Sequence, residues 1–284
     1  MENEGPSLTA IRVAMSRAAH QLLDDPKVLD DPIALKIIGS QTASKIRATP
    51  EKFQTAVSRY LRAFLAARSR YAEDELSEEI KRGVGQYVIL GAGLDTFAYR
   101  NPYPLSMLRI FEVDHPATQN WKRKKLGEAG IPIPKSLTFV PIDFERQTLA
   151  GQLWKTGFRI EERSFFSWLG VTMYLTRDAV IATLKHVATV TPDGSEIVLD
   201  YAISPTSLSP ARQSVFQALA QRVADVGEPW QTYFDPHTFV TELRMMGFSC
   251  TEDIGPDELN MRFFNHRVDD LKVGGFAHLM KARV

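Results

Sequence analysis

The apolar run Tyr87-Val88-Ile89-Leu90 stops abruptly at Gly91-Ala92-Gly93-Leu94-Asp95-Thr96. Two glycines one residue apart let a backbone turn tightly and approach a ligand with no side chain in between, as at the carboxyl edge of a parallel sheet that holds a nucleotide-like molecule. A dinucleotide fingerprint needs a third glycine three residues on; that position is Thr96, which argues against NAD or FAD. The next apolar run, Ile110-Phe111-Glu112-Val113-Asp114-His115-Pro116, ends in acids that can accept hydrogen bonds from both hydroxyls of a ribose. Alternation along a strand sends Glu112 and Asp114 to one face, and Asp114 two residues before a proline also fits a helix cap. A third run ends in Ile142-Asp143-Phe144-Glu145, where a carboxylate can accept from the amino group of adenine and the Phe144 N–H can meet the ring. Asp143 as the N-cap of a following helix fits the same residues.

These acids and glycines need strands to carry them. Short β-branched runs at Gln86–Leu90, Leu108–Val113, Leu137–Ile142, Phe165–Val171 and Glu196–Leu199 alternate with amphipathic stretches at Pro116–Glu128, Glu145–Trp154, Arg177–Val190 and Pro236–Met246. That alternation predicts an α/β fold with a mostly parallel sheet covered on both faces. Thr176 and Asp235 stand where N-caps belong. The segment from Phe248 to Met261 and on to Ala277 is expected to supply two last strands. Ahead of Gly85 the pattern is helical: one helix over Ser7–Leu23, a second starting at Pro32 and a third over Glu51–Lys81.

The chain has 284 residues, with 34 Lys and Arg against 34 Asp and Glu. Zero net charge disfavours nucleic acid and anionic membranes as partners, and the basic run Lys122–Lys125 reads as a solvated helix face. One cysteine, Cys250, forms neither a disulfide nor a multi-cysteine metal site, and the six histidines stand singly, so no metal is expected. No G-x-S-x-G, H-E-x-x-H or P-loop motif is present. The polar opening MENEGPSLTA lacks the apolar core of a secretory signal, and with the lone cysteine it points to the cytoplasm.

Five ordered motifs together resemble the leucine carboxyl methyltransferase family, in particular its bacterial branch of S-adenosylmethionine-dependent methyltransferases. They are Ser7-x-Thr9-Ala10-x-x-Val13-Ala14-x-x-Arg17-Ala18, Gly91-Ala-Gly-Leu-Asp-Thr96, Glu112-Val-Asp-His-Pro116, Phe166-Ser-Trp-Leu-Gly-Val-Thr-Met-Tyr-Leu175 and Gly227-Glu-Pro-Trp230. The resemblance implies a class I methyltransferase fold, a Rossmann-like seven-stranded sheet with the last strand antiparallel. It implies residues 1–82 as an N-terminal helical lid over a cofactor-binding core, residues 83–284. The cofactor implied is S-adenosyl-L-methionine. Gly91, Ala92 and Gly93 would line its methionine part, Asp114 (with Glu112 beside it) its ribose, and Asp143 with Phe144 its adenine. Arg68 matches an arginine that pairs with the cofactor's carboxylate, and Arg17 a basic residue of the first helix in the same role. Many family members carry a glutamate where this chain has Leu169, so any contact of that acid is absent here.

Methyl transfer from a sulfonium asks chiefly for alignment and exclusion of water. The activity implied is O-methylation of a small molecule, with a carboxylic acid as the candidate acceptor. A carboxylate needs no base, whereas a phenol or alcohol needs one within hydrogen-bond reach. Tyr174, Tyr201, His115 and His237 are the weak candidates for that role. A cofactor-binding protein without turnover and a nucleotide-dependent oxidoreductase are the competing readings, and self-association into a homo-oligomer is left open.

Overall fold

The computed structural model describes residues 7–225 and 227–284. Residues 1–6, part of the polar opening read as lacking the core of a secretory signal, lie outside it. Seven strands form one sheet: β1 (Gln86–Leu90), β2 (Arg109–Asp114), β3 (Leu137–Pro141), β4 (Ser164–Trp168), β5 (Glu196–Ala202), β6 (Cys250–Ile254) and β7 (Ala277–Arg283), in the order β3-β2-β1-β4-β5-β7-β6. The first five run parallel, and β7 is antiparallel to both neighbours. The order reverses between β1 and β4, so the loops after these strands diverge and leave a crevice at the carboxyl edge.

The helices are α1 (Leu8–Leu23), α2 (Pro32–Ile37), α3 (Ser40–Ala48), α4 (Ala56–Lys81), α5 (Phe97–Arg100), α6 (Pro116–Glu128), α7 (Leu149–Leu153), α8 (Arg177–Val190), α9 (Pro210–Ala224), α10 (Pro236–Met245) and α11 (Pro256–Phe263). Strand alternation sorts the core: Val88, Leu90, Phe166 and Trp168 pack with α7, α8 and α10, while Tyr87, Ile89 and Phe165 pack with α4 and α11. Thr176 and Asp235 cap α8 and α10 as expected. Ser7 caps α1 through the Ala10 N–H.

Several boundaries differ from the sequence reading. The fourth strand ends at Trp168, not Val171, because Gly170 adopts φ +76° and a short 3-10 turn follows over Thr172–Tyr174. The helix expected over 145–154 shrinks to α7, since the Asp143 carbonyl accepts from the Arg146 and Gln147 N–H groups in a turn. The third helix starts at Ala56, behind a 3-10 turn over Pro50–Phe53. Helices α3, α5, α9 and α11 were not anticipated.

Helix α4 carries Ala63, Ala67, Leu76 and Ile80 into the sheet's own core, whereas α1 to α3 lie above it. A buried cluster ties the two layers. Arg62 of α4 grips both oxygens of Asp24, and Asp24 also meets His20 Nδ1 at 2.8 Å. His20 Nε2 accepts from the Val28 and Leu29 N–H groups, which places the ring proton on Nδ1.

Candidate functional site

A cleft of about 730 Å³ opens at the carboxyl ends of β1, β2 and β4, with α1 across it. Its floor is the Gly91–Asp95 loop. Gly91 has φ +66°, and a Cβ there would stand 2.3 Å from Val171 Cγ2, so only glycine fits between β1 and the loop after β4. Gly93 has φ +47°, and its Cβ would meet Ala10 of the covering helix only at ordinary contact distance, 3.5 Å; both residues line the cleft. The loop's N–H groups at 91 and 92 both donate to the Val113 carbonyl, which fixes it to the end of β2.

Asp114 stands at that end and lines the cleft. Its Oδ2 accepts from the Gly93 N–H at 2.5 Å and its Oδ1 from the His115 N–H at 2.6 Å. Burial raises its pKa above the usual carboxylate value, while these two N–H groups pull it back. His115, not Asp114, caps α6, through Nδ1 and the Ala117 N–H. Each carboxylate oxygen keeps lone-pair capacity for a ligand hydroxyl.

Glu112 departs from the expectation. It is fully buried below the cleft wall, 2.7 Å from Lys122 Nζ of α6, and takes no part in lining the cleft. Burial pushes its carboxyl up to about 7 against the pull of Lys122. Lys122 is 1% exposed, so the basic run is not wholly a solvated face; Arg123 lies over the Phe139 ring, and Lys124 does face solvent.

Asp143 and Phe144 line the far end of the cleft, where Asp143 accepts from the Glu145 N–H and the Phe144 ring leans on Trp168. Leu169 lines the opposite wall. Beside it Arg68 donates to Asp200 at 2.5 Å, and the same carboxylate accepts from the Gly170 N–H. Asp200 is fully buried at the end of β5.

Arg17 reaches the cleft, but its Nη1 donates to Asp95 and its Nη2 to Asp31 and Thr96. Thr96, the residue in place of a third glycine, also donates to Asp31. Arg17 therefore locks α1 to the glycine loop and the N-cap of α2, and only its Nε lacks a partner.

Of the four candidate bases, Tyr174 and His115 line the cleft. Tyr201 is fully buried and donates to Asp253, and His237 sits on α10; neither borders the cleft. Sequence reasoning missed Asp95, Asp200 and the role of Glu228. An acid at the carboxyl end of a strand, in Leu199-Asp200-Tyr201, was the available signal for Asp200. Glu228 stood within the Gly227–Trp230 motif, but nothing there signals its contact: it accepts from the Leu8 and Thr9 N–H groups of α1 from 220 and 219 residues away. Among the described residues no group of three or more His, Cys, Asp or Glu could hold a metal ion, and no helix is long and apolar enough to cross a membrane.

Strand order, glycine loop and acid-tipped β2 define a class I methyltransferase, the S-adenosylmethionine-dependent type. The family model for leucine carboxyl methyltransferase matches residues 10–188. YktD of Bacillus subtilis, which bears the provisional name of an S-adenosyl-L-methionine-dependent methyltransferase, is 34% identical over 99% of each chain. A similarly named protein of Mycobacterium avium is 28% identical, over 77% of this chain and 72% of its own. Among solved structures, a provisionally named methyltransferase from Thermobifida fusca superposes with a TM-score of 0.57 at 16% identity, covering 99% of this chain and 96% of its own. A DUF574 family protein from Streptomyces avermitilis gives 0.51 at 13%, covering 94% and 96%; at such identities these two speak to the fold alone. The chain belongs to the leucine carboxyl methyltransferase family and is a methyltransferase.

Proposed function

We propose that this methyltransferase transfers the methyl group of S-adenosylmethionine to a carboxylate oxygen of a small-molecule acid. When bound, the cofactor supplies a methyl group made electrophilic by its sulfonium. Gly91, Ala92 and Gly93 hold the methionine backbone, Asp114 the ribose hydroxyls, Asp143 and Phe144 the adenine, and Arg68 a carboxylate. Arg17 acts on the loop instead, by holding Asp95 and Thr96.

The observation that carries the acceptor class is the state of the acids in the cleft. Asp95 is held by Arg17 and the Phe97 N–H, Asp114 by two N–H groups, Asp143 by the Glu145 N–H, Glu145 by Thr176, and Glu228 by α1. His115 Nδ1 already accepts from Ala117. Each of these groups already spends lone pairs on donors of the protein, which favours an acceptor that arrives already ionised and needs no base. Incubation with labelled S-adenosylmethionine and a panel of matched acids, phenols and alcohols should give base-stable transfer to none and base-labile ester to an acid. Transfer confined to phenols sinks the carboxylate reading.

Helices α1 to α3 serve as the lid of this site. Cofactor should slow amide exchange across residues 8–23 by at least about tenfold, because closure adds packing to an element of lower local stability. Equal exchange with and without S-adenosylhomocysteine returns these helices to scaffolding.

A further inference from the structure

Helix α1 has two unlike halves. Its buried residues begin at Ala14, which packs with Ile37 and Leu94, and continue with Arg17, Ala18, Ala19 and His20. Residues 8–13 lie ahead of that packing; none of them is buried, and Leu8 is 46% exposed. This half nevertheless crosses the cleft, which Leu8, Thr9, Ala10 and Val13 line. Its end is held from far along the chain. The Leu8 N–H donates to Glu228 Oε1 at 3.1 Å and the Thr9 N–H to Glu228 Oε2 at 2.8 Å, while the Ala10 N–H goes to Ser7. A carboxylate there also meets the positive end of the helix dipole.

Glu228 is firmly seated on its own side. Gly227, with φ +79°, closes the end of α9: its N–H donates to the Ala224 carbonyl and the Glu228 N–H to that of Val223. Just beyond, Gln231 donates from its N–H to the Met173 carbonyl and from Nε2 to the Tyr174 carbonyl, both at 2.7 Å. The Thr232 hydroxyl donates to the Leu175 carbonyl at 2.6 Å. The loop is thus pinned to the 3-10 turn after β4. The two attachments of α1 differ in kind. Arg17 meets Asp31 and Thr96 out of contact with water, whereas the Leu8 contact with Glu228 is open to solvent. The solvated attachment is the one that breaks readily.

We propose that Glu228 is a positioning residue of this methyltransferase, the latch that holds residues 8–13 shut over the cleft. Release of the two N–H groups frees this half of α1 to swing away from the glycine loop, with the half packed from Ala14 onward as its hinge. That opens the way for S-adenosylmethionine to enter and for the product cofactor to leave. Latched, the same half keeps water from the sulfonium. The proposal rests on the lid reading of α1; what it adds is the group that holds the lid and the end at which it opens. A latch that acts alike on the free and the loaded enzyme speeds entry and exit together and changes affinity little. A residue that binds the ligand instead changes affinity, chiefly through exit.

The test needs no acceptor. Labelled S-adenosylhomocysteine, rapidly mixed with the full chain and chased with unlabelled compound, gives the rates of entry and exit. Glu228→Ala should raise both by about tenfold, the factor expected of one net hydrogen bond to a charged group, and shift the dissociation constant by less than either rate. Glu228→Gln keeps one accepting oxygen and should fall between. In the ligand-free variants, amide exchange across residues 8–13 should quicken by a similar factor while residues 17–23 keep wild-type rates. Faster exit without faster entry, wild-type exchange at residues 8–13, or quickened exchange across the whole of α1 with a lower melting temperature would each overturn the proposal. If Glu228→Ala fails to fold, Glu228→Gln decides alone. Wild-type exchange that S-adenosylhomocysteine leaves unchanged, beside variants that behave as expected, would count against closure by the cofactor and not against the latch.

Discussion

Gly91→Ala should weaken S-adenosylhomocysteine binding severely, and Gly93→Ala far less. The two glycines look equivalent in the sequence, yet a Cβ at 91 lies 2.3 Å from a stiff valine and a Cβ at 93 only touches Ala10. Left-handed backbone adds about 1–2 kcal/mol for any residue with a Cβ, and overpacking against Val171 about 1–3 kcal/mol more. The loop has one way to relieve this, which is to leave the Val113 carbonyl and with it the Asp114 carboxylate. Affinity by calorimetry should therefore fall at least about a hundredfold, or ~2.7 kcal/mol. Adding Val171→Ala should recover the steric part and leave the backbone part, so the double variant lands between Gly91→Ala and wild type. Wild-type affinity in Gly91→Ala would reduce the loop to a plain turn.

Asp200→Ala should be the most destabilising single change at the site. Asp200 is fully buried and joins two things that the sequence separates, Arg68 of α4 and the Gly170 N–H beyond β4. Loss of one partner of a buried pair costs about 3–5 kcal/mol, and the lower end applies here because Arg68 reaches the cleft and can recover some solvation. Asp200→Asn keeps an oxygen for Gly170 and loses the charge, so it should fall between. Urea unfolding reads the stability. Calorimetry should show both variants losing cofactor affinity, because Arg68 then lacks the group that aims it. An Asp200→Ala midpoint equal to wild type would show that the pair contributes nothing to folding.

Much of the fold was legible because burial on both faces writes a parallel strand as a continuous apolar run. Gln86–Leu90 is predicted to the residue. The edge that carries the cleft was legible for the same reason, since Gly91, Gly93 and Asp114 each interrupt such a run. Glu112 shows the limit. Its position in the strand is right and its alternation is right, but being two residues further from the edge puts it under α6, where Lys122 neutralises it. The sequence carries no depth coordinate. Helix α9, with little apolar patterning, and the 228-to-8 contact were illegible because long-range pairing depends on where separate loops end. Leu169 remains a departure: the nearby acid Asp200 is buried, paired with Arg68, and does not line the cleft.

The position of β7 sets a folding order. Strand β6 pairs only with β7, and β7 also completes β5, so residues 250–254 have no place in the sheet until residues 277–283 have emerged. The parallel half, β1 to β5, can gather as it is synthesised, but one edge of β5 stays open with its N–H and C=O groups exposed. Insertion of β7 between β5 and β6 is a non-local step with a high loop-closure cost. Until it happens the nascent chain presents an edge that another chain can pair with, so slow delivery of β7 favours aggregation over a stable half-sheet.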